Sequence, residues 1–187
     1  RPSEFSYDFG YNILLSVALS MGVTLRYINS RLVQGSYGNN GTNFKAGNTF
    51  AGDISLFYKQ NEDLEGFHAG LVLSNLGGKV SYSNESKNKY FIPANIGLGL
   101  AYLSRFDTEN SLEMGVDINR LMVPASPTSS DAQVVDQYFS QSVVASWFNS
   151  FSNQYGMPLS ESLKVSLGAE YNYADRFHLR AGYFIDN

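Results

Sequence analysis

Apolar and polar residues alternate along most of the chain. In Phe5-Ser6-Tyr7-Asp8-Phe9-Gly10-Tyr11-Asn12-Ile13 every odd position is apolar or aromatic and every even one is polar or glycine. The same period of two runs through Met21–Tyr27, Phe50–Tyr58, Phe67–Leu73, Ile96–Tyr102, Leu112–Ile118, Leu163–Tyr171 and Phe177–Tyr183. Successive side chains of a strand point to opposite faces, so these eight segments predict eight strands, each with one apolar and one polar face. No stretch reaches the roughly 20 apolar residues of a membrane-spanning helix. The nearest, Ile13–Val23, is interrupted by Ser16, Ser20 and Gly22. It follows Glu4 and Asp8 rather than positive charge and has no small-residue cleavage site after it, unlike a signal peptide.

A soluble sandwich or a lipocalin-type barrel shows this alternation too. Three features favour a transmembrane antiparallel β-barrel. The polar face carries Asp8, Arg26, Asp53, Glu113, Asp117, Lys164, Glu170 and Arg180 among small residues, as a lumen where acids and bases pair would. The connections alternate in length, short at Ser16–Ser20, Asn61–Gly66, Asp107–Ser111 and Ala174–Arg176, long at Val33–Asn48, Gly77–Phe91 and Val123–Ser162. That is the habit of outer-membrane barrels, with short periplasmic turns and long outer loops. Beside the short turns, Tyr58, Phe67, Tyr102, Tyr173 and Phe177 fall on the apolar parity, where an interfacial aromatic girdle belongs. Residues 1–187 therefore predict an outer-membrane β-barrel segment in a Gram-negative bacterium. With the short turns periplasmic, the first strand starts outside and the last one ends outside, so the expectation is the middle of a larger barrel. A complete eight-stranded barrel is the alternative. The first hairpin is the weakest, because Leu14–Ser20 contains no Gly, Pro, Asn or Asp.

Residues 123–162 form the longest outer loop. Pro124 and Pro127 stop the strand, and Ser129 or Ser130 is placed to cap an amphipathic helix starting near Asp131. Val135, Phe139, Val143, Trp147 and Phe151 recur at spacing four and make one apolar stripe. Such a stripe packs on its own barrel, plugs the lumen or meets a partner.

Composition sharpens this. Charged residues are 16% of the 187, below the roughly 25% of soluble domains, while 13 Tyr, 13 Phe and 17 Gly stand against 5 Pro. Disorder, coiled coil and collagen are excluded. A net charge of −4 with 13 Lys and Arg argues against nucleic acid. The absence of cysteine removes disulfides, zinc knuckles and thiol chemistry. Gly35–Gly41 is glycine-rich but lacks the Lys-Ser/Thr of a phosphate loop and reads as a surface loop. His68 and His178 have inward parity without further ligands at metal spacing, so hydrogen bonding in the lumen is expected and no metal or cofactor. There is no nucleophile elbow or triad, and catalysis is not expected.

Five segments occur in order: Ser74–Tyr82, Phe91–Gly99, Ile118–Pro124, Ser142–Phe148 and Leu179–Phe184, the last containing Arg180-Ala181-Gly182-Tyr183-Phe184. Together they resemble the PorV (LptO) family of type IX secretion outer-membrane barrels, within the FadL-like group. The resemblance implies part of a 14-stranded barrel. It also implies a shuttle that takes cargo bearing a C-terminal signal domain from an SprA/Sov-like translocon to a surface attachment complex, where a PorU-like sortase removes the signal. Membrane lipid and lipopolysaccharide would surround it. Gly35–Gly41 with Asn84, Glu85 and Ser86 would then form part of a cargo-facing rim, and Trp147 and Phe151 would help to hold cargo or translocon. Ala125–Phe139 matches no family pattern. A FadL-like transporter of hydrophobic small molecules is the alternative function, and an enzyme acting on lipopolysaccharide a third that lacks an identifiable activated group.

Overall fold

The computed structural model describes residues 2–32, 35–37, 42–63, 65–83, 89–125, 131–152 and 162–186. Asn84, Glu85 and Ser86, Ser129 and Ser130, and Gly38–Gly41 of the glycine-rich loop lie outside them. The elements in chain order are β1 (Ser3–Leu14), β2 (Leu19–Arg31), β3 (Gly35–Tyr37), β4 (Thr42–Phe44), β5 (Gly47–Lys59), β6 (Gly66–Gly77), β7 (Asn95–Arg105), β8 (Asn110–Leu121), α1 (Ala132–Ser140), α2 (Val143–Asn149), β9 (Leu163–Tyr173) and β10 (Phe177–Asp186). All eight alternating segments are strands. They make one antiparallel sheet in the order β1-β2-β5-β6-β7-β8-β9-β10, open at β1 and β10. The short β3–β4 hairpin, a second two-stranded sheet, belongs to the first long connection.

The first hairpin closes without a turn-forming Gly, Pro, Asn or Asp because Ser16 does the work. Its hydroxyl accepts from the N–H groups of Ala18 and Leu19 at 3.3 and 3.1 Å, which is how a Ser side chain stands in for a backbone turn. The β5–β6 turn is held by Gln60, whose Oε1 accepts from Phe67 N–H at 3.0 Å, and by Gly66 at φ +91°, a value that a side chain would strain. At the β9–β10 turn both central residues, Ala174 and Asp175, have φ of 52°, the backbone of a hairpin turn that follows strand twist.

The sheet has no apolar core of its own. Among the described residues the buried hydrophobic side chains are Ala51, Val80, Ala94 and Met122, and all but Ala51 sit in or beside the long connections. The apolar parity stays open: Phe9 is 77% exposed, Phe50 72% and Leu25 65%. A soluble sandwich would bury this face. The polar parity lines a concavity of about 500 Å³ running from β5 to β10, with His68, Gly70, Gly99, Glu113, Asp117, Gly168, Glu170 and Arg180 on its wall. The sheet therefore curves around its polar face and turns its apolar face outward.

Candidate functional site

The polar face carries three groups of paired charges. Near its middle, Arg26 on β2 reaches Asp8 on β1 through Nε, Asp53 on β5 through Nη2 at 3.2 Å and Asn75 on β6 through Nη1 at 2.6 Å. Asn75 adopts φ 56°, donates its backbone N–H to Asp53 at 2.7 Å and its side-chain amide to the Pro93 carbonyl at 3.2 Å. Register shifts between Gly52 and Ile54, so the irregularity brackets Asp53. One arginine thus ties four strands and, through Asn75, the end of the β6–β7 connection. Asn75 carries no periodic signal. Its only sequence clue is an Asn before Gly77-Gly78, where left-handed backbone is tolerated.

Toward the short turns, Glu113 on β8 lies directly opposite Glu170 on β9. Like charges in that relation repel unless each is compensated. Here His68 Nε2 contacts Glu113 at 2.9 Å, and Glu170 receives Arg180 Nε and His178 Nδ1, the latter at 3.0 Å. Lys164 and Asp186 pair at 3.0 Å across β9 and β10. Asp117 has no ion-pair partner among the described residues and borders Gly99, whose missing Cβ leaves room for its carboxylate. Among the described residues no group of three His, Cys, Asp or Glu is arranged to hold a metal ion.

On the apolar face the rings near the short turns form a row. Tyr58 and Phe67 are 6.4 Å apart, Phe67 is in register with Tyr102, and Tyr173 with Phe177. Toward the long connections, Phe5, Tyr27 and Phe50 form a second cluster, with Tyr27 and Phe50 at 5.2 Å. Phe50 and Tyr58 are both on β5, eight residues and so roughly 26 Å apart along it. With the usual tilt of about 40° that becomes roughly 20 Å, close to the apolar band of an outer-membrane barrel.

At the long-connection end the predicted single helix is two. Asp131 caps α1 by accepting from Gln133 N–H at 2.9 Å, and Ser142 caps α2 by accepting from Ala145 N–H at 3.2 Å. Gln141 and Ser142 have extended ψ of 135° and 150°, which break the helix between them. The signal was present in the sequence, since Ser is a strong cap. The spacing-four stripe is therefore divided: Val135 and Phe139 on α1, Val143 and Trp147 on α2, Phe151 just past its end. Phe139 meets Tyr90 edge-on at 5.5 Å and Tyr138 meets Phe91 at 5.6 Å, so α1 packs on the β6–β7 connection. Val135, Val143 and Trp147 are half-buried, while Val144 (57%) and Phe148 (73%) point outward.

Two cations hold these helices, and periodicity pointed to neither. Neither α1 nor α2 has a basic residue in its last turn. Instead Lys79 donates to the carbonyls of Phe139 and Gln141 at 2.8 and 2.6 Å and lies over the Phe91 ring at 4.2 Å. Burial, with the charge of Lys89 second, holds the Lys79 ammonium below the usual lysine range. Arg120, at the end of β8, donates to the Ser150 carbonyl at 3.0 Å and stacks on Phe151 at 4.2 Å. Both satisfy helix C-terminal carbonyls, where positive charge is favoured.

No curated protein matches the chain. A family model described as type IX secretion system protein PorV matches residues 1–128. That is more than half of the chain and covers all of β1 through β8, the strands that carry the Arg26 group and Arg120. A two-faced antiparallel sheet and a family match over most of its strands lead to one assignment: the chain belongs to the PorV family of type IX secretion system proteins.

Proposed function

We propose that this chain forms wall and outer-surface cap of an outer-membrane β-barrel that shuttles secreted proteins. It binds their C-terminal signal domain at the long-connection end and carries them from an SprA/Sov-like translocon to an attachment complex with a PorU-like sortase. Membership in the family supports the secretion role. The observation that carries the membrane reading is the open apolar face, with Phe9, Phe50 and Leu25 unpacked on the outside of a sheet most of whose charges are paired on the inside. Lipid covers such a face; water does not.

In this reading Val135, Phe139, Val143 and Trp147 set the orientation of the two helices, and Phe151, Val144 and Phe148 meet the partner. Asp8, Arg26, Asp53, Glu113, Asp117, Lys164, Glu170 and Arg180 line the lumen and keep it polar. Affinity purification of the tagged full-length protein from detergent-solubilised outer membranes tests the role. Co-purification of a translocon, a sortase or proteins sharing a C-terminal signal domain is expected. A barrel recovered alone, or with bound fatty acid, would move the assignment to a transporter of hydrophobic small molecules.

A further inference from the structure

The short turns of the wall differ in chemistry. Three of them carry ionised groups: Glu62 and Asp63 between β5 and β6, Asp107 and Glu109 between β7 and β8, Asp175 and Arg176 between β9 and β10. Carboxylates also hold two of these turns together. Asp63 accepts from the N–H of Glu65 at 3.2 Å, and Asp107 from those of Glu109 and Asn110 at 2.8 Å each. Such turns belong in water, because a carboxylate is costly to withdraw from it. The β1–β2 turn is built instead from Leu14-Leu15-Ser16-Val17-Ala18-Leu19, and no charged residue stands between Asp8 and Arg26. Leu15 is 51% exposed and Val17 67%.

Neutral groups satisfy the backbone of this turn. The N–H groups of Leu15 and Ser16 donate to the Leu19 carbonyl at 2.9 and 3.0 Å, and those of Ala18 and Leu19 donate to the Ser16 hydroxyl. The Ala18 carbonyl accepts from Lys59 N–H at 2.9 Å. Little of the chain here needs water, which is the condition for placing backbone in lipid. The level of the turn along the wall agrees. Leu19 is the register partner of Tyr58, a member of the aromatic row, so Val17 lies two residues, within roughly 7 Å, of that row. The β5–β6 turn continues past the same level from Lys59 to Gly66. Ile13 and Met21, a register pair, belong to the outward apolar face, and Leu15 and Leu19 extend it without a break.

We infer that the β1–β2 turn is immersed in lipid: Leu15 and Val17 enter the acyl chains just beneath the headgroups of the periplasmic leaflet, while the other three short turns stand in water. This rests on the outer-membrane reading and adds a lipid contact at an end of the wall that it otherwise leaves in the periplasm. The wall beside β1 then ends inside the bilayer, and the turn fixes the depth at which the first hairpin sits.

The test places single cysteines at Val17, Leu15, Thr108 or Leu71 of the full-length protein in phosphatidylcholine vesicles. Each is read for reaction with a water-soluble maleimide and, once it carries a fluorophore, for quenching by lipids with a nitroxide on the acyl chain. Thr108, on the β7–β8 turn, stands at the same end of the wall, so the direction of insertion affects it and Val17 alike. Val17→Cys and Leu15→Cys are expected to react about tenfold more slowly than Thr108→Cys, the equivalent of drawing a Val-sized side chain out of lipid. Their fluorophores are quenched most by nitroxides near the headgroup, and that of Leu71→Cys by nitroxides near the chain end. Val17→Cys as reactive as Thr108→Cys, and unquenched, would place the turn in water and overturn the inference. Slow reaction without quenching would mean that protein covers the turn, and would overturn it in favour of a packing contact. Absence of quenching at Leu71 as well removes the membrane reading and the inference together.

Discussion

The sheet and the cap are stabilised by different means. The wall is a ladder: every neighbouring pair from β1 to β10 is antiparallel, with register running ten or more residues in most pairs. Its order comes from backbone hydrogen bonds repeated along each strand, so no single side chain is essential to it. The cap is two helices of nine and seven residues, too short to persist alone. Lys79, Arg120 and the rings of Tyr90, Phe91, Tyr138 and Phe139 hold it. The difference predicts a rigid frame carrying a surface that a few contacts can reposition.

The contrast breaks most sharply at one pair of neighbours on β6. Leu71 faces outward, while a Cβ added at Gly70 meets nothing within 4 Å. Leu71→Lys is expected to cost about 2–4 kcal/mol in refolding into lipid vesicles, and Gly70→Lys under about 1 kcal/mol, because only the first puts charge against hydrocarbon. Equal costs would deny the membrane reading. Next in size is Arg26→Met, which leaves Asp8 and Asp53 unpaired. With Asp8 partly solvated, about 1–2 kcal/mol is expected by urea denaturation.

Lys79→Met separates cap from wall. Amide exchange in α1 should quicken by about five- to tenfold, the equivalent of roughly 1 kcal/mol, while the β5–β8 amides stay unchanged. Ala174→Gly relieves a non-glycine residue at φ 52° and should stabilise the β9–β10 hairpin by about 0.5 kcal/mol, the strain removed exceeding the entropy that glycine adds to the unfolded chain. The smallest effect depends on pH. The backbone N–H of Glu109 and then the side-chain amide of Asn110 hold the Asp107 carboxyl below its usual range. A lowered carboxyl stabilises the fold above its unfolded pKa near 3.8 and loses that contribution as pH falls through the lower folded value. The Asn110 amide should therefore exchange faster relative to its neighbours below about pH 4, and Asp107→Asn should abolish that dependence.

Much of the wall was legible because a period of two is written into each strand and tolerates error at its ends: Phe5–Ile13 grew to Ser3–Leu14, and Phe50–Tyr58 to Gly47–Lys59. The first hairpin was harder, since Ser16 acts through a hydroxyl rather than through a turn residue's backbone freedom. In the cap, spacing four continued across Phe139 and Val143 although Ser142 ends one helix and starts the next. Periodicity reports which residues share a face only while the helix is unbroken.

By itself the sequence determined the eight strands of the wall, their two faces and the alternation of short and long connections, because a pleated strand converts residue order directly into side-chain direction; the short β3–β4 hairpin carried no such signal. Only the tertiary structure decided that Arg26 joins four strands, that Lys79 and Arg120 cap helices more than 20 residues away, and that Val144 and Phe148 rather than Trp147 face outward. Those relations depend on register across strands and on chain segments meeting from afar, and neither distance is encoded in local spacing.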